Sequence, residues 1–236
     1  MTKARNIAEL ANDISVDNNR DVTLSNLRSD QPMTFRNKII NGNLSNPIKQ
    51  RGISTITGAT GYTYDRWYYD GTTYLYQGIE DKNVNNGTYV ISWEGAGINA
   101  AWKVSTDTTA GNGPDATTGF TSVSNGGTFT VNEVTEYSKH LWIRFDGTLA
   151  NLNKVQVEEG TVPTPFEHRP YGIELALCQR YYETDDAENG ADTRISMNKG
   201  TTDAAYYWSY PYKVTKRVLP TVTINQTYDD NLSCNR

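Results

Sequence analysis

The chain has 236 residues, of which 36% are hydrophobic, 21% charged and 11% aromatic. Its polarity comes from Asn, Thr, Gly, Ser and Gln rather than from charge, and an aromatic content led by 16 Tyr and 5 Trp excludes an intrinsically disordered chain. The net charge of -5 argues against general nucleic-acid binding, which requires a basic face. No apolar run is long enough to span a bilayer, so we expect no membrane insertion. The N-terminus has no apolar stretch typical of a signal peptide, so we expect synthesis in the cytoplasm.

Residues 1–34 form the first predicted region. Apolar residues at helical spacing predict a short helix near 4–14. The stretch that follows is polar and cannot hold a core by itself. Two interpretations stay open for residues 1–34: a flexible leader, or an arm that docks on a partner and becomes ordered there.

Residues 35–171 show the pattern of an all-β domain. Short apolar segments alternate with Gly-, Asn- and Asp-rich turns, which predicts many short strands. The predicted strands are at 39–40, 53–56, 74–76, 89–93, 102–104, 129–131, 141–145 and 155–157. Strands of this kind over 35–171 predict a β-sandwich or a jelly roll. Because no ten-residue helical pattern interrupts them, we do not expect a βαβ fold.

The pattern changes after residue 171. Apolar residues between Ile173 and Arg180 predict a short linker helix, and further strands are predicted at 194–197, 205–210, 212–214 and 221–224. We therefore expect a second, C-terminal β domain within 172–236. Four strands or so are too few to close a sandwich. This domain either packs on a neighbouring subunit or belongs to a longer natural product.

Patterns of catalytic residues are weak. The chain has two histidines, His140 and His168, and lacks the G-x-S-x-G motif, so we expect no hydrolase triad. Most of the acidic residues considered for a glycosidase pair lie beside turns, which favours solvated carboxylates. Those residues are Asp65, Asp70, Glu80, Asp81, Glu94, Glu158 and Glu159.

Cofactor and metal sites are not indicated either. Cys178 and Cys234 lack metal-binding spacing, and we expect both to be free thiols, with Cys178 buried on an apolar helix face. We expect no cofactor and no metal. A Ca²⁺ site using the loop oxygens of Asp107, Asn112 and Asp115 is the less favoured alternative to an ordinary polar loop.

Aromatic residues form two clusters. A sugar ring stacks its C–H face on an aromatic ring while its hydroxyls bind polar side chains. We expect Trp67 to lie in the core, and the first cluster supplies the candidate glycan-binding residues Tyr62, Tyr64, Tyr68, Tyr69, Tyr74 and Tyr76. In the second cluster, a regular strand would place Tyr206, Trp208 and Tyr210 on one face. We expect a subunit interface there, ahead of a glycan site or a monomer core.

Several segments resemble a jelly-roll module of bacteriophage tail fibres. Its opening is similar to RNKIINGN (36–43), QRG (50–52) and YDRW (64–67). Its exit and linker helix are similar to VQVEEG (155–160), TPFEHRPYG (164–172) and ELALCQRYY (174–182), and the strand beyond to RVLPTVT (217–223). The resemblance covers about residues 36–225.

This resemblance implies a carbohydrate-binding-like module on a virion. The chain would be a non-enzymatic tail fibre or surface appendage that attaches to host surface glycans, with residues 1–34 as the virion-attachment segment. Its expected partners are other virion proteins, host glycan and further copies of itself in a homotrimer. Two alternatives stay open: a capsid or tail decoration protein without glycan binding, and a glycan depolymerase.

Overall fold

The computed structural model describes residues 14–16, 22–24, 35–105, 118–132, 140–184, 196–199, 206–209 and 211–222. The chain divides into two units, Met1–Arg36 and Asn37–Arg236. In the first unit Ile14–Val16 (β1) and Val22–Leu24 (β2) pair antiparallel. The helix predicted near 4–14 lies outside the described residues except for its last position, which is in β1.

Two antiparallel sheets dominate the second unit. Their strands are β3 (Gly61–Tyr62), β4 (Tyr68–Tyr69), β5 (Leu75–Ile79), β6 (Gly87–Glu94), β7 (Ile98–Ser105), β8 (Thr121–Val123), β9 (Thr128–Val131), β10 (His140–Gly147) and β11 (Asn153–Glu159). The larger sheet has the order β3-β4-β5-β10-β7-β8, and the smaller has β11-β6-β9. A separate hairpin pairs β12 (Ser196–Lys199) with β13 (Tyr206–Ser209). This architecture confirms the predicted all-β sandwich, whereas the jelly-roll connectivity and the domain boundaries stay predictions.

Alternation along β10 divides the two faces of the larger sheet. Leu141, Ile143 and Phe145 are fully buried in the core between the sheets. Trp142 and Arg144 alternate with them and therefore point to the outer face. The smaller sheet fills the same core with Tyr89, Ile91, Phe129, Val131, Val155 and Val157. Each such large side chain contributes about 1.5–3 kcal/mol by leaving water.

The chain before β3 begins along the edge of the smaller sheet. Two backbone hydrogen bonds join it to β11: Lys38 N donates to Val157 O at 2.7 Å, and Val155 N donates to Gly42 O at 2.9 Å. Gly42 permits this approach, since a Cβ there would lie 2.3 Å from Val155 O. The strand predicted at 39–40 is therefore an extended segment beside β11 without a full ladder.

Most predicted strands inside the sandwich are confirmed, but the strands predicted at 39–40, 53–56 and 212–214 are absent. Residues 53–56 are irregular, because Ile56 anchors a loop in the core without pairing its backbone. Residues 212–214 also lie outside any strand, in a segment where Lys213 N donates to the Glu183 carboxylate instead of a ladder partner. Residues 221–222 are likewise irregular, and the rest of the strand predicted at 221–224 lies outside the described residues.

The predicted linker helix is present as α1 (Tyr171–Gln179). Pro170 directly precedes it with φ −54°, a value already suited to the helix. Cys178 is a free thiol, 1% exposed, and packs with Ile40 and Ile48, as expected for an apolar helix face. Cys234 lies outside the described residues. In the described part of the chain, no helix has the length and apolarity needed to cross a bilayer.

Candidate functional site

A row of aligned side chains crosses the outer face of the larger sheet. The register places Tyr62 opposite Tyr68, Tyr68 opposite Tyr76, and Tyr76 opposite Arg144. The rings of Tyr62 and Tyr68 meet edge to face with centroids 5.5 Å apart. Directly opposed residues share a face of a sheet. Strand pairing thus brings three of the six candidate glycan tyrosines onto one surface.

Of the other three candidate glycan tyrosines, two lie in or against the core and one lies beside the outer row. Tyr69 is buried in the core, and Tyr64 packs against that core while its hydroxyl donates to Ser54 O at 3.1 Å. Tyr74 extends the outer row, since its ring lies 6.0 Å from that of Tyr76 and 4.2 Å from the Arg144 guanidinium. Trp67, expected in the core, is fully buried there.

A cavity of about 400 Å³, here called the outer-face cavity, lies on this surface. The sheet lines one side, and the residues after α1 together with 216–221 line the other. Its aromatic members are Tyr62, Tyr68, Tyr76, Trp142, Tyr181 and Tyr182. Its ionisable members other than tyrosine and cysteine are Arg51, Arg66, Glu80, His140, Arg180, Lys216 and Arg217. The cavity thus combines aromatic rings with mostly positive charge.

Trp142 supplies a buried aromatic surface in this cavity. It stands opposite Gly78 in the β5–β10 register and is 8% exposed. Its indole Nε1 is buried and has no hydrogen-bond partner among the described residues. A buried donor without an acceptor costs about 1–3 kcal/mol, so this N–H favours an acceptor oxygen inside the cavity.

Arg66 reaches the same place from the turn before β4. Its backbone is left-handed, with φ 75°, and its Nη2 donates to Gly78 O. Its guanidinium carbon lies 3.5 Å from the ring centroid of Tyr181. Burial raises the pKa of Tyr181 to about 12, although the charge of Arg66 opposes this. The Arg66 Nε is buried, and no residue in the described part of the chain forms a hydrogen bond with it.

Arg51 also lines the cavity, and its guanidinium contacts the Asp65 carboxylate. Asp65 is 1% exposed and accepts hydrogen bonds from Gln50 Nε2 at 2.7 Å and Arg51 Nη1 at 3.2 Å. Burial raises the pKa of the Asp65 carboxyl, and the bonds from Gln50 and Arg51 reduce that rise. Gln50 also donates to Tyr182 O at 2.9 Å, and the Arg51 guanidinium lies 3.5 Å from the Tyr182 ring centroid. These contacts join the sandwich to the chain after α1.

Glu80 is the carboxylate that two cations share. Arg180 Nη2 lies 3.3 Å from Glu80 Oε2, and Arg217 Nε lies 3.7 Å from Glu80 Oε1. Lys216 donates to Gln179 O at 2.6 Å and pairs with Glu183. With Arg51 and Arg66, these three residues make five arginine and lysine side chains that line the cavity. In the described part of the chain, three carboxylates pair with them, from Asp65, Glu80 and Glu183.

The segments that resemble a fibre module meet in a buried network around Asn41. Its Nδ2 donates to Ile48 O at 2.8 Å and Asp65 O at 2.9 Å, and its Oδ1 accepts from Ile48 N at 2.8 Å. Its carbonyl accepts from Trp67 Nε1 at 2.8 Å, and its N–H donates to Glu174 of α1. The INGN, YDRW and helix segments thus form a structural junction beside the cavity.

Sequence reasoning missed Trp142 and Arg66 as site residues. Trp142 had a signal, because it falls out of phase with the apolar residues on either side of it in β10. Arg66 belongs to the YDRW segment, but no sequence pattern around it predicts that its side chain faces a cavity. The outer-face role of both depends on the pairing of β4, β5 and β10.

The remaining candidate sites lie partly or wholly outside the described residues. Tyr206 and Trp208 lie on β13, whose backbone pairs with β12, and Tyr210 lies outside the described residues. Their role at a subunit interface stays a prediction. The candidate Ca²⁺ loop, 107–115, also lies outside the described residues. Within the described ranges, no group of three or more His, Cys, Asp or Glu side chains is placed to hold a metal ion.

These observations define the class of molecule. It is an all-β sandwich whose larger sheet carries an aromatic and positively charged cavity on its outer face. Comparisons with protein-family models, curated proteins and solved structures find no match to this chain. Its function must therefore be argued from the site.

Proposed function

We propose that this chain is a non-enzymatic phage virion protein, a tail fibre or surface appendage, that attaches to host surface glycans through the outer-face cavity. The observation that carries the proposal is the tyrosine row of Tyr62, Tyr68 and Tyr76, which leads into a cavity also lined by Trp142. Virion location and partnership with other virion proteins are supported by the resemblance of the INGN, YDRW and helix segments.

The chemistry of the cavity suits a sugar. Tyr62 and Tyr68 are half-buried, so part of each ring remains available to the apolar face of a pyranose. The N–H groups at Arg66 Nε and Trp142 Nε1, which no described residue accepts from, supply donors for sugar oxygens. A volume of about 400 Å³ falls in the range of small-ligand sites, which suits a short saccharide.

The number and the pairing of carboxylates in the cavity favour glycan binding over glycan cleavage. Glycosidases use two carboxyl groups on either side of the scissile bond. Among the described residues that line the cavity, Glu80 is the one with a carboxylate, and Arg180 and Arg217 both pair with it. The depolymerase alternative therefore gains no support from this geometry.

Exposed apolar side chains support assembly with further copies. Segment 211–222 exposes four apolar side chains, of which Val218 and Leu219 line the outer-face cavity, whereas Tyr212 and Val222, 43% and 52% exposed, do not. Exposed apolar groups gathered on one segment favour contact with another chain. We propose a homotrimer that covers Tyr212 and Val222, and they equally favour the decoration-protein alternative. Light scattering at micromolar concentration tests assembly, and a monomeric mass would contradict it.

Glycan binding is tested directly with a glycan array and calorimetry. Tyr62→Ala and Tyr68→Ala are each expected to weaken binding about three- to tenfold, since aromatic contacts contribute about 0.5–1.5 kcal/mol. Tyr171→Ala is the matched control, because Tyr171 is 68% exposed on α1 and does not line this cavity. Failure of the intact protein to bind any glycan would favour the decoration protein, and steady release of reducing sugar would favour the depolymerase.

A further inference from the structure

We propose that the saccharide bound in the outer-face cavity is acidic, with its carboxylate or phosphate oxygens held by Arg66 and Trp142. This inference rests on the proposed function and adds to it the chemical class of the ligand. Three observations support it: the charge of the lining, the contacts of the Arg66 guanidinium, and the buried indole N–H of Trp142.

The lining has an excess of positive charge in an otherwise acidic protein. The chain as a whole carries -5, yet five arginine and lysine side chains face this cavity. In the described part of the chain, three carboxylates pair with them, and Glu80 is shared by two. Two positive charges therefore remain for a ligand to neutralise. A neutral sugar would leave both unpaired in a partly desolvated site, where interactions between charges are stronger than in water.

Arg66 is the cation best placed to meet a ligand anion. No described carboxylate lies within ion-pair distance of its guanidinium, which instead stacks on Tyr181 and donates to Gly78 O. Its left-handed backbone is an uncommon conformation for a residue other than glycine, and such conformations concentrate at ligand sites. Its buried Nε retains one unused N–H, and guanidinium N–H groups form strong hydrogen bonds to carboxylate and phosphate oxygens.

Trp142 adds a second buried donor from the sheet. Its Nε1 is buried without a hydrogen-bond partner in the ranges that the structure describes, although its side chain lines the cavity. An indole N–H only donates, so it requires an acceptor oxygen. Two unused donors and an excess of positive charge in one cavity favour a ligand group that only accepts. A carboxylate or phosphate oxygen meets that requirement, whereas a sugar hydroxyl meets it partly.

Calorimetry with three probes separates the possibilities. The probes are tetragalacturonate, the same tetrasaccharide with its carboxyl groups reduced, and glucose 6-phosphate. We expect the reduced tetramer to bind at least tenfold more weakly than tetragalacturonate or glucose 6-phosphate. The acidic probe that binds more tightly identifies carboxylate or phosphate as the source of the anion. Raising the salt concentration should weaken binding of the acidic probes.

The outcomes distinguish this inference from the proposed function. Equal binding of the acid and its reduced form would overturn the acidic class while leaving glycan binding intact. If these probes and a broad glycan array all give no binding, the proposed function falls, and the inference with it. If glucose 6-phosphate is the tighter of the two acidic probes yet binds no tighter than inorganic phosphate, recognition of an acidic saccharide is overturned, since the sugar would then contribute nothing.

Variants assign the contact to the two residues. Arg66→Gln should weaken binding of the acidic probe about tenfold or more, in keeping with a lost hydrogen bond to a charged group. Trp142→Phe keeps an aromatic ring but removes the indole N–H, and should weaken binding about threefold or more. Lys154→Gln is the control, because it removes one positive charge from the Lys154–Glu94 pair outside the cavity. Thermal unfolding of each variant establishes that it folds, and wild-type affinity in a folded Arg66→Gln variant would overturn the assignment.

Discussion

Trp142 lies against the backbone of Gly78, its direct neighbour across the β5–β10 pair. A Cβ built on Gly78 would lie 3.0 Å from both Cζ3 and Cη2 of the Trp142 ring. The missing side chain of Gly78 is therefore what admits the indole to the outer face at this position. The same glycine accepts a hydrogen bond from Arg66 at its carbonyl. One residue without a side chain thus brings both proposed ligand-binding groups to one place.

Gly78→Ala should displace the Trp142 ring. The added methyl group would meet the ring more closely than ordinary packing allows, and such overpacking typically costs about 1–3 kcal/mol. We expect a lower free energy of unfolding in urea and a changed near-ultraviolet circular dichroism spectrum. Gly58→Ala is the control, because a Cβ at Gly58 meets no atom of the described residues within 4 Å. Equal effects of the two substitutions would contradict the contact.

Removing the Asn41 side chain should lower the free energy of unfolding by more than the loss of any single hydrogen bond that it forms. Asn41→Ala removes three buried side-chain hydrogen bonds and leaves an alanine at φ 60°. Unpaired buried groups cost about 1–3 kcal/mol each, so we expect a loss of roughly 3 kcal/mol or more. Asn41→Gly separates the two causes, because glycine accepts the left-handed backbone without strain.

The two Asn41 variants are compared by urea denaturation. Asn41→Gly should recover about 1 kcal/mol relative to Asn41→Ala, which is the backbone part of the loss. A negligible effect of both substitutions would show that the junction between the INGN segment and α1 does not depend on this side chain.

Asp70 should make the stability of the β4–β5 turn depend on pH. Partial burial by itself raises the pKa of the Asp70 carboxyl, but hydrogen bonds from the N–H groups of Thr73, Tyr74 and Thr72 outweigh it and lower the pKa. Because the folded pKa lies below the unfolded value of about 4, the stabilisation is complete above pH 4. It is lost as the pH falls through the folded pKa.

Asp70→Asn tests this dependence, since the amide keeps an acceptor oxygen but does not titrate. We expect the free energy of unfolding of the variant to fall less steeply below pH 4 than that of the wild type. Asp70→Ala, which lacks the acceptor as well, should be the least stable of the three at pH 7. An unchanged acid slope in Asp70→Asn would assign the pH dependence to other carboxyl groups.

Cys178 should be unreactive in the folded protein. Burial raises the pKa of its thiol, and the negative charges of Asp65 and Glu174 raise it further, so little thiolate forms near pH 8. In a Cys234→Ser background, we expect no reaction with a thiol reagent until urea unfolds the chain. Rapid labelling under native conditions would show that α1 separates readily from Ile40 and Ile48.

Local sequence patterns were enough to predict most strands of the sandwich. Strands such as β6 and β10 combine β-branched and aromatic residues with alternation, and α1 follows a proline with apolar residues at helical spacing. The strand predicted at 53–56 failed because apolar content does not distinguish a paired strand from a loop anchored by one side chain, here Ile56. Pairing depends on a neighbouring strand that a local pattern does not supply.

The amino-acid sequence by itself determined the β-rich fold, the linker helix, the buried Trp67 and an aromatic cluster suited to sugars. Local alternation and residue chemistry are enough to encode these features. Only the tertiary structure decided which tyrosines share a surface, because the register of β3, β4 and β5 selects Tyr62, Tyr68 and Tyr76. It also decided that Arg66 and Trp142 meet at Gly78. Such a meeting depends on contacts between residues far apart in the chain, and the side chains of either segment alone do not specify it.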